Sequence, residues 1–311
     1  MLFKNLIMYN LSTPLNLTSH ELHLALKEHE FAGCSDHEPK ATGWVPVLPG
    51  AIDYEDEEML AHQIIHRNNP AFMLAYQKRE KILPASVVNA EVNYRVKEIQ
   101  GIECRKLGRK ERAEFKEEVI RQLMPRAFSR DTITHLIISG SWIFINSSSS
   151  NHAEEILKEL RVTLGSLPVT PFTTQANPAQ VFTHWLSSAT APMHFKYGEY
   201  CKLVDNAEST ATVVCKNQSI DTLEVRQHID TGMHVAVIGL QYEESINFRV
   251  SDELIVSGIH YTDIFADKVF DNLDIDEATA VQFFDADFLI MLGEFKRIRT
   301  ALTQSIDDNE Y

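Results

Sequence analysis

Apolar residues follow two different patterns along the chain. An apolar stripe at three- and four-residue spacings marks the C-terminal part: Phe288, Met291, Leu292, Phe295, Ile298 and Leu302. This spacing predicts a long amphipathic helix over about residues 284–305. Elsewhere the apolar residues form short β-rich runs, such as THLIISGSWIFIN at 134–146, which predicts a hairpin turning at Ser139 and Gly140. Because helices and strands follow one another without a strand–helix–strand repeat, we predict an α+β fold with mixed sheets.

The 311 residues are enough for two or three modules. Residues 71–84 predict a strand followed by a charged turn, and residues 85–123 predict mostly helix, which Pro125 ends. The proline-rich region from 166 to 178 predicts a linker. We therefore expect a central α+β module formed by 1–75 with 128–170, a helical basic tip over 76–127, and a C-terminal α+β base module over 171–311.

Charge is divided unevenly along the chain. The formal net charge is −15, yet residues 78–130 hold fourteen Lys or Arg and eight Asp or Glu, a net of +6, which leaves −21 for the rest. A predicted stripe at i, i+4, i+7 and i+11 of one helix face consists of Arg105, Arg109, Arg112 and Lys116. Lys106 and Lys110 flank it, and glutamates occupy the opposite face. Such a stripe can follow a phosphate backbone, although charged helix faces are also typical of ordinary solvated surfaces.

The stretch RQLMPRAFSR at 121–130 places one aromatic residue, Phe128, between Arg126 and Arg130. Three interpretations remain open for Phe128. It could fold back onto the core, stack on a nucleic-acid base, or dock into a pocket of a partner protein.

Catalytic motifs are not evident. Asp285 and Asp287 could hold Mg²⁺ in a nuclease, but aspartates near a helix start also satisfy free backbone N–H groups. No P-loop, G-x-S-x-G or H-E-x-x-H motif is present, so we expect no enzyme, no cofactor and no metal site. Four cysteines without a C-x-x-C pair favour a reduced, cytoplasmic protein. No apolar run long enough for a membrane span occurs.

Six stretches in order along the chain resemble the bacterial recombination-associated RdgC family. They are MLFKNLIMYNLS, GWVPVLPG, EKILPASVV, LMPRAFSR, LGSLPVTPF and FFDADFLIMLGEF. The resemblance extends from Met1 to about Leu302.

The resemblance implies a non-enzymatic, nucleoid-associated protein that forms a ring-shaped homodimer. Duplex DNA, with single-stranded DNA as a further candidate, would pass through a positively charged hole with little sequence preference. Such a ring would act as a negative modulator of RecA-dependent recombination and of replication-fork processing. The alternatives are a metal-dependent nuclease that uses Asp285 and Asp287, and a scaffold whose basic helix binds an acidic protein.

The resemblance also assigns residues. Phe128 matches the aromatic residue of the dimer gate, with Arg126 as its neighbouring arginine and Arg105 as a basic tip residue. Lys216 and Gln218 match a C-terminal basic patch, in which Asn217 replaces a lysine that is common in the family. The expected DNA-binding set comprises Lys78, Lys81, Arg105, Lys106, Arg109, Lys110, Arg112, Lys116, Arg126, Lys216 and Gln218.

Overall fold

A computed structural model describes residues 2–48, 59–205, 211–265 and 279–308. Its helices are α1 (Ser19–Lys27), α2 (Ala85–Glu103), α3 (Arg109–Leu123), α4 (Ser150–Leu164), α5 (Pro178–Ser188), α6 (Leu223–Asp230) and α7 (Ala280–Asp307). Its strands are β1 (Asn5–Leu11), β2 (Lys40–Val45), β3 (Ala61–His66), β4 (Asn69–Ile82), β5 (Phe128–Ser139), β6 (Trp142–Ile145), β7 (Val169–Pro171), β8 (Phe195–Asp205), β9 (Thr212–Lys216), β10 (Met233–Tyr242), β11 (Ile246–Ser251) and β12 (Val256–Tyr261). The α+β class is as predicted, but the expectation of mixed sheets is wrong, because the described strands form one sheet with antiparallel pairings.

The described strands form one hydrogen-bonded sheet in the order β2-β4-β5-β6-β1-β12-β11-β10-β8-β9. Strand β3 pairs with β4, and β7 pairs with β1. Strand β1 joins the two halves because it pairs with β6 along Ile7–Asn10 and with β12 at Asn5 and Leu6. The pairings are antiparallel throughout these strands, so the chain builds most of the sheet from consecutive hairpins.

Both faces of the N-terminal half of the sheet are covered. On β4, Met73 belongs to the core that includes α7, whereas Leu74 belongs to the core that includes α1 and α4. Successive strand residues point to opposite faces, so a strand buried on both sides reads as a continuous apolar run, as AFMLAY does here.

Helix α7 is the main packing element of the first core. The predicted apolar stripe is confirmed, because each of its six residues is at most 1% exposed. Phe295 lies between Phe3 and Phe144, with ring centroids 5.6 and 6.0 Å away. The stripe therefore fixes this helix against the sheet.

The start of α7 is capped by a threonine. The side chain of Thr279 accepts a hydrogen bond from the Gln282 N–H, and the Gln282 side chain accepts one from the Thr279 N–H in return. This reciprocal arrangement is a capping box, which satisfies backbone donors at a helix start. The expectation that Asp285 or Asp287 has this role is therefore wrong.

The tip consists of α2 and α3. The β4–β5 ribbon joins it to the rest of the described chain, the sheet with helices α1 and α4–α7, which we call the body. The two strands pair in register as far as Ile82 and Phe128. A small core of four buried valines holds the helices together: Val88, Val92, Val96 and Val119. The predicted charged turn within 71–84 is wrong, because β4 continues as a strand to Ile82.

The predicted linker between 166 and 178 is also wrong. Residues Val169–Pro171 form β7, which pairs with β1, and Pro178 is the first residue of α5. Asn177 caps α5, and proline fits at a first helical position because its missing N–H would have no partner there. Proline marks a helix start in this case, where a linker was expected.

Candidate nucleic-acid interface

The α2–α3 pair has two side grooves of different character. One groove is lined by Asn89, Asn93, Arg112 and Lys116, with apolar contributions from Val92 and Ala113. On α3, Arg109, Arg112 and Lys116 fall within about 60° of one another around the helix axis. We call this side of the pair the basic groove.

The opposite groove carries the carboxylates. Its polar lining comprises Arg105, Glu111, Glu114 and Glu118, and its apolar lining comprises Ile99, Leu107 and Phe115. The predicted separation of Arg109, Arg112 and Lys116 from these glutamates is therefore present, whereas Lys110 and Arg121 lie on the same side of α3 as the glutamates.

The predicted stripe does not begin at Arg105. Cys104 has a left-handed φ of 52° and ends α2, so Arg105 lies in the connection before α3. Its guanidinium donates two hydrogen bonds to Glu111, at 3.0 and 2.8 Å. These bonds, together with the Gly108 N–H, lower the pKa of Glu111 to about 2. Arg105 therefore lies on the carboxylate side of the pair.

Five expected DNA-binding residues of the tip are exposed, and their side chains have no hydrogen bond or ion pair within the described part of the chain: Lys106, Arg109, Lys110, Lys116 and Arg126. Arg112 differs, because its guanidinium donates to Asn93 Oδ1 at 2.7 Å. Lys110 lies about 100° around α3 from Arg109, so it is outside the basic groove.

Lys78 and Lys81 lie on β4 and are half-buried. Lys78 Nζ contacts Glu80 at 2.7 Å and Glu155 at 3.2 Å. Lys81 Nζ donates to the backbone carbonyl of Asp36 at 2.5 Å. Both ammonium groups thus already have oxygen partners within the chain.

Phe128 is the most exposed of the large apolar side chains in the described residues, at 84%. It begins β5, opposite Ile82, which is itself 47% exposed. The interpretation that Phe128 folds back onto the core is therefore wrong for the single chain. The two neighbouring apolar side chains offer a contact surface at the outer end of the ribbon.

Lys216 and Gln218 are exposed at the end of β9. Strand β9 is at the far edge of the sheet, eight strand positions from β4. With about 4.8 Å between neighbouring strands, that separation is roughly 40 Å along the sheet. Asn217 between them has a left-handed φ of 55°, a conformation that asparagine tolerates better than most residues.

The two aspartates of the nuclease alternative do not converge on a common site. Asp285 Oδ1 lies 2.5 Å from His62 Nε2 of strand β3, and Asp287 raises the pKa of Tyr261, whose larger cause is burial. Across the described residues, no three His, Cys, Asp or Glu side chains are grouped so as to hold a metal ion.

Asn89 and Asn93 were not singled out from the sequence. Both are exposed on α2 and line the basic groove. Amide side chains donate to phosphate oxygens without adding charge. A count of charges cannot find them, although their spacing of four residues on one helix face could have.

Among the helices in the described ranges, none combines the length and apolar character that crossing a membrane requires.

Comparison with known proteins gives a consistent result. A family model described as "Putative exonuclease, RdgC" matches residues 1–309. The recombination-associated protein RdgC of Edwardsiella ictaluri is 33% identical over 294 residues, which cover 94% of this chain and 93% of that protein. The RdgC proteins of Proteus mirabilis and Yersinia pestis are each 32% identical, over 95% and 98% of this chain and 95% and 97% of their own lengths.

Proposed function

The chain belongs to the RdgC family of recombination-associated proteins, and from this premise we propose that it is a non-enzymatic protein that binds DNA without sequence preference. The observation that carries the proposal is the basic groove, where exposed cations and amides line one side of the α2–α3 pair. Cations and amides of this kind bind phosphate oxygens and do not read bases. Duplex DNA is the main ligand of the proposal, and single-stranded DNA is a second one.

The proposed binding depends on several weak contacts. Each exposed Lys or Arg that neutralises a phosphate releases a condensed counterion, so affinity accumulates with the number of contacts and falls as salt rises. Lys106, Arg109 and Lys116 are exposed and without ion pairs in the described structure. They can contact phosphates without first giving up a carboxylate partner.

A homodimeric ring would reconcile this interface with the acidic composition. The chain outside residues 78–130 carries a net charge of −21, which repels DNA at long range. If two copies enclose the duplex between their basic grooves, the positive surface faces inward and the number of phosphate contacts doubles. In this proposal Phe128 closes the ring by docking against the second copy, which would bury a side chain that is 84% exposed in one copy.

The proposed role follows from occupancy of the duplex. A ring around DNA would prevent a RecA filament from using the same stretch, and would thereby limit recombination and replication-fork processing. This proposal places the protein on the nucleoid in the cytoplasm. Lys216 and Gln218 would contribute a second, weaker contact far from the tip.

Two measurements separate this proposal from its alternatives. A mobility shift with a random duplex at moderate salt should show binding, whereas a scaffold for acidic proteins would leave the duplex unshifted. Linear and supercoiled DNA incubated with the pure protein and Mg²⁺ should remain intact. Degradation that disappears in Asp285→Asn would establish the nuclease and overturn the non-enzymatic proposal.

The gate has its own test. Phe128→Ser should reduce salt-resistant retention on closed circular DNA, because an open ring is no longer topologically trapped. Retention on linear DNA should change little. The matched control is Ile102→Ser, since Ile102 is 78% exposed on α2 but is not in the proposed gate. Retention of Phe128→Ser at the wild-type level, or an equal loss in Ile102→Ser, would contradict the gate.

A further inference from the structure

A cationic cleft lies between α7, the turns that follow β3 and β10, and the start of β6. Its volume is about 410 Å³, which is within the range of small-ligand sites. Among the described residues, the lining contains four cations, Arg67, Lys296, Arg297 and Arg299, and one carboxylate, Glu243. The cleft is formed by both halves of the sheet and is separate in sequence from the α2–α3 tip.

Lys296 is held in place by neutral groups. Its ammonium donates to Ser139 Oγ at 2.9 Å and contacts His66 Nδ1 at 3.2 Å. Because Nδ1 accepts this proton, the neutral ring carries its own proton on Nε2, beside Gly293. Burial, and then the charges of Arg67 and Arg299, lower the pKa of Lys296.

Arg299 is also held without a carboxylate among the described residues. Its guanidinium lies 4.1 Å from the centre of the Trp142 ring and 3.4 Å from Thr300 Oγ1. The Nε atom is buried and has no hydrogen-bond partner among the described residues. Burial lowers the pKa of Arg299. A partly buried cation without a counter-charge carries a desolvation cost, which an anion that enters the cleft would relieve.

The positive charge of the cleft is only partly balanced. Arg297 contacts Glu243 at 3.7 Å and the buried Glu294 at 3.4 Å. Arg67, Lys296 and Arg299 make no ion pair with any described carboxylate. Three cations therefore remain available for one anionic group.

We propose that this cleft is a binding site for a phosphate group, held by Arg67, Lys296 and Arg299. Guanidinium donors match phosphate oxygens in geometry, and a compact ammonium adds a point charge. One face of Trp142 is occupied by Arg299, and its edge packs against Phe172 with ring centroids 5.9 Å apart. The cleft thus offers three cationic donors for phosphate. This site does not depend on the proposed DNA interface of the tip.

Titration calorimetry of the full chain with inorganic phosphate tests the site. Wild type should bind, and Arg299→Met or Lys296→Met should weaken binding by at least about tenfold, since each change removes a charge-assisted hydrogen bond. Arg161→Met on α4 removes an exposed arginine elsewhere and should bind as wild type. Absence of binding by wild type, or equal binding by the cleft variants, would overturn the proposal.

A substitution of an exposed cleft residue keeps the test decisive if Arg299→Met or Lys296→Met disturbs folding. Arg67 is an exposed turn residue with a left-handed φ of 50°, so Arg67→Asn preserves the preferred backbone. It should weaken phosphate binding several-fold, and unchanged binding would count against the site.

A competition experiment distinguishes two sources of the phosphate. Displacement of inorganic phosphate by a short duplex would assign the cleft to nucleic acid. Phosphate that stays bound in the presence of duplex would assign it to a free phosphate compound. Arg109→Gln/Lys116→Gln should bind inorganic phosphate as wild type, so failure of the DNA proposal and failure of the cleft can be told apart.

Discussion

The α2–α3 pair and helix α7 are both helical, but they are stabilised in different ways. Helix α7 buries eleven of its residues against the sheet. The core of the pair contains four buried residues in the described part of the chain, all valines. Most helical stability in proteins comes from packing of an apolar face. The tip is therefore a lightly packed element that displays charge, and α7 is a heavily packed element that holds the body together.

Strand β5 shows the same contrast along its length. Its first six residues are exposed and its last six are buried. The outer half is stabilised by cross-strand contacts, such as the pair of 2.6 Å hydrogen bonds from Arg79 to Asp131. The ribbon thus joins the tip to the body through an exposed segment, and we expect the body to remain stable when the tip is destabilised.

The basic groove and the cationic cleft differ in how exposed their cations are. The cations of the basic groove are exposed, so salt should screen their interactions strongly. In the cleft, Lys296 and Arg299 are partly buried and are held by Ser139, His66 and Trp142. Phosphate binding in the cleft should therefore depend less on salt than DNA binding by the tip.

The largest expected effect is a loss of stability caused by a substitution in the core of the body. Phe295→Ala removes a fully buried ring between Phe3 and Phe144 and should lower the free energy of unfolding by about 4 kcal/mol. Urea denaturation measures this loss. A loss below about 1 kcal/mol would show that α7 does not dominate the stability of the body.

The next largest effect is a pH dependence of the free energy of unfolding, which arises from His135 in the buried half of β5. Burial lowers the pKa of His135 to about 4, whereas an unfolded histidine has a pKa near 6.5. The unfolded state therefore binds the proton first as pH falls, and the free energy of unfolding should decrease by about 3 kcal/mol between pH 6.5 and 4. His135→Gln should remove this component of the pH profile, whereas the exposed His20→Gln should retain it. Identical profiles for the two variants would contradict the assignment.

The smallest effect concerns the tip. Val119→Ala should destabilise the α2–α3 pair by about 2 kcal/mol. Amides of residues 85–123 should then exchange with solvent roughly thirtyfold faster, while those of α7 are unchanged. Equal acceleration in α7 would mean that tip and body unfold together, and that the tip is not a separate unit of stability.

Local patterns identified the regular elements well. The apolar stripe predicted 284–305 as a helix, and α7 spans Ala280–Asp307. The hairpin at 134–146 is formed by β5 and β6, which meet at Gly140. Both signals are periodic burial patterns within one stretch of chain, so the sequence alone carries them.

Other features depend on contacts between distant residues or on breaks that the sequence does not mark. The ion pair of Arg105 with Glu111 forms because α2 ends at Cys104, and a cysteine is not a typical residue for a helix end. The partner of Asp285 is His62, 223 residues away. The cationic cleft is lined both by Arg67, in the turn after β3, and by residues of α7. No spacing rule within one segment relates such residues, and only the folded chain brings them together.

The most direct test of the central claim is the salt dependence of duplex binding by two charge-matched variants. Arg109→Gln/Lys116→Gln removes two cations from the basic groove, and Lys110→Gln/Arg121→Gln removes two from the other side of α3. The first should flatten the slope of log affinity against log salt by about 0.9 for each phosphate that is no longer neutralised, with a clearly smaller change in the second. Equal slopes for both variants and wild type would contradict the claim that this groove binds the DNA backbone.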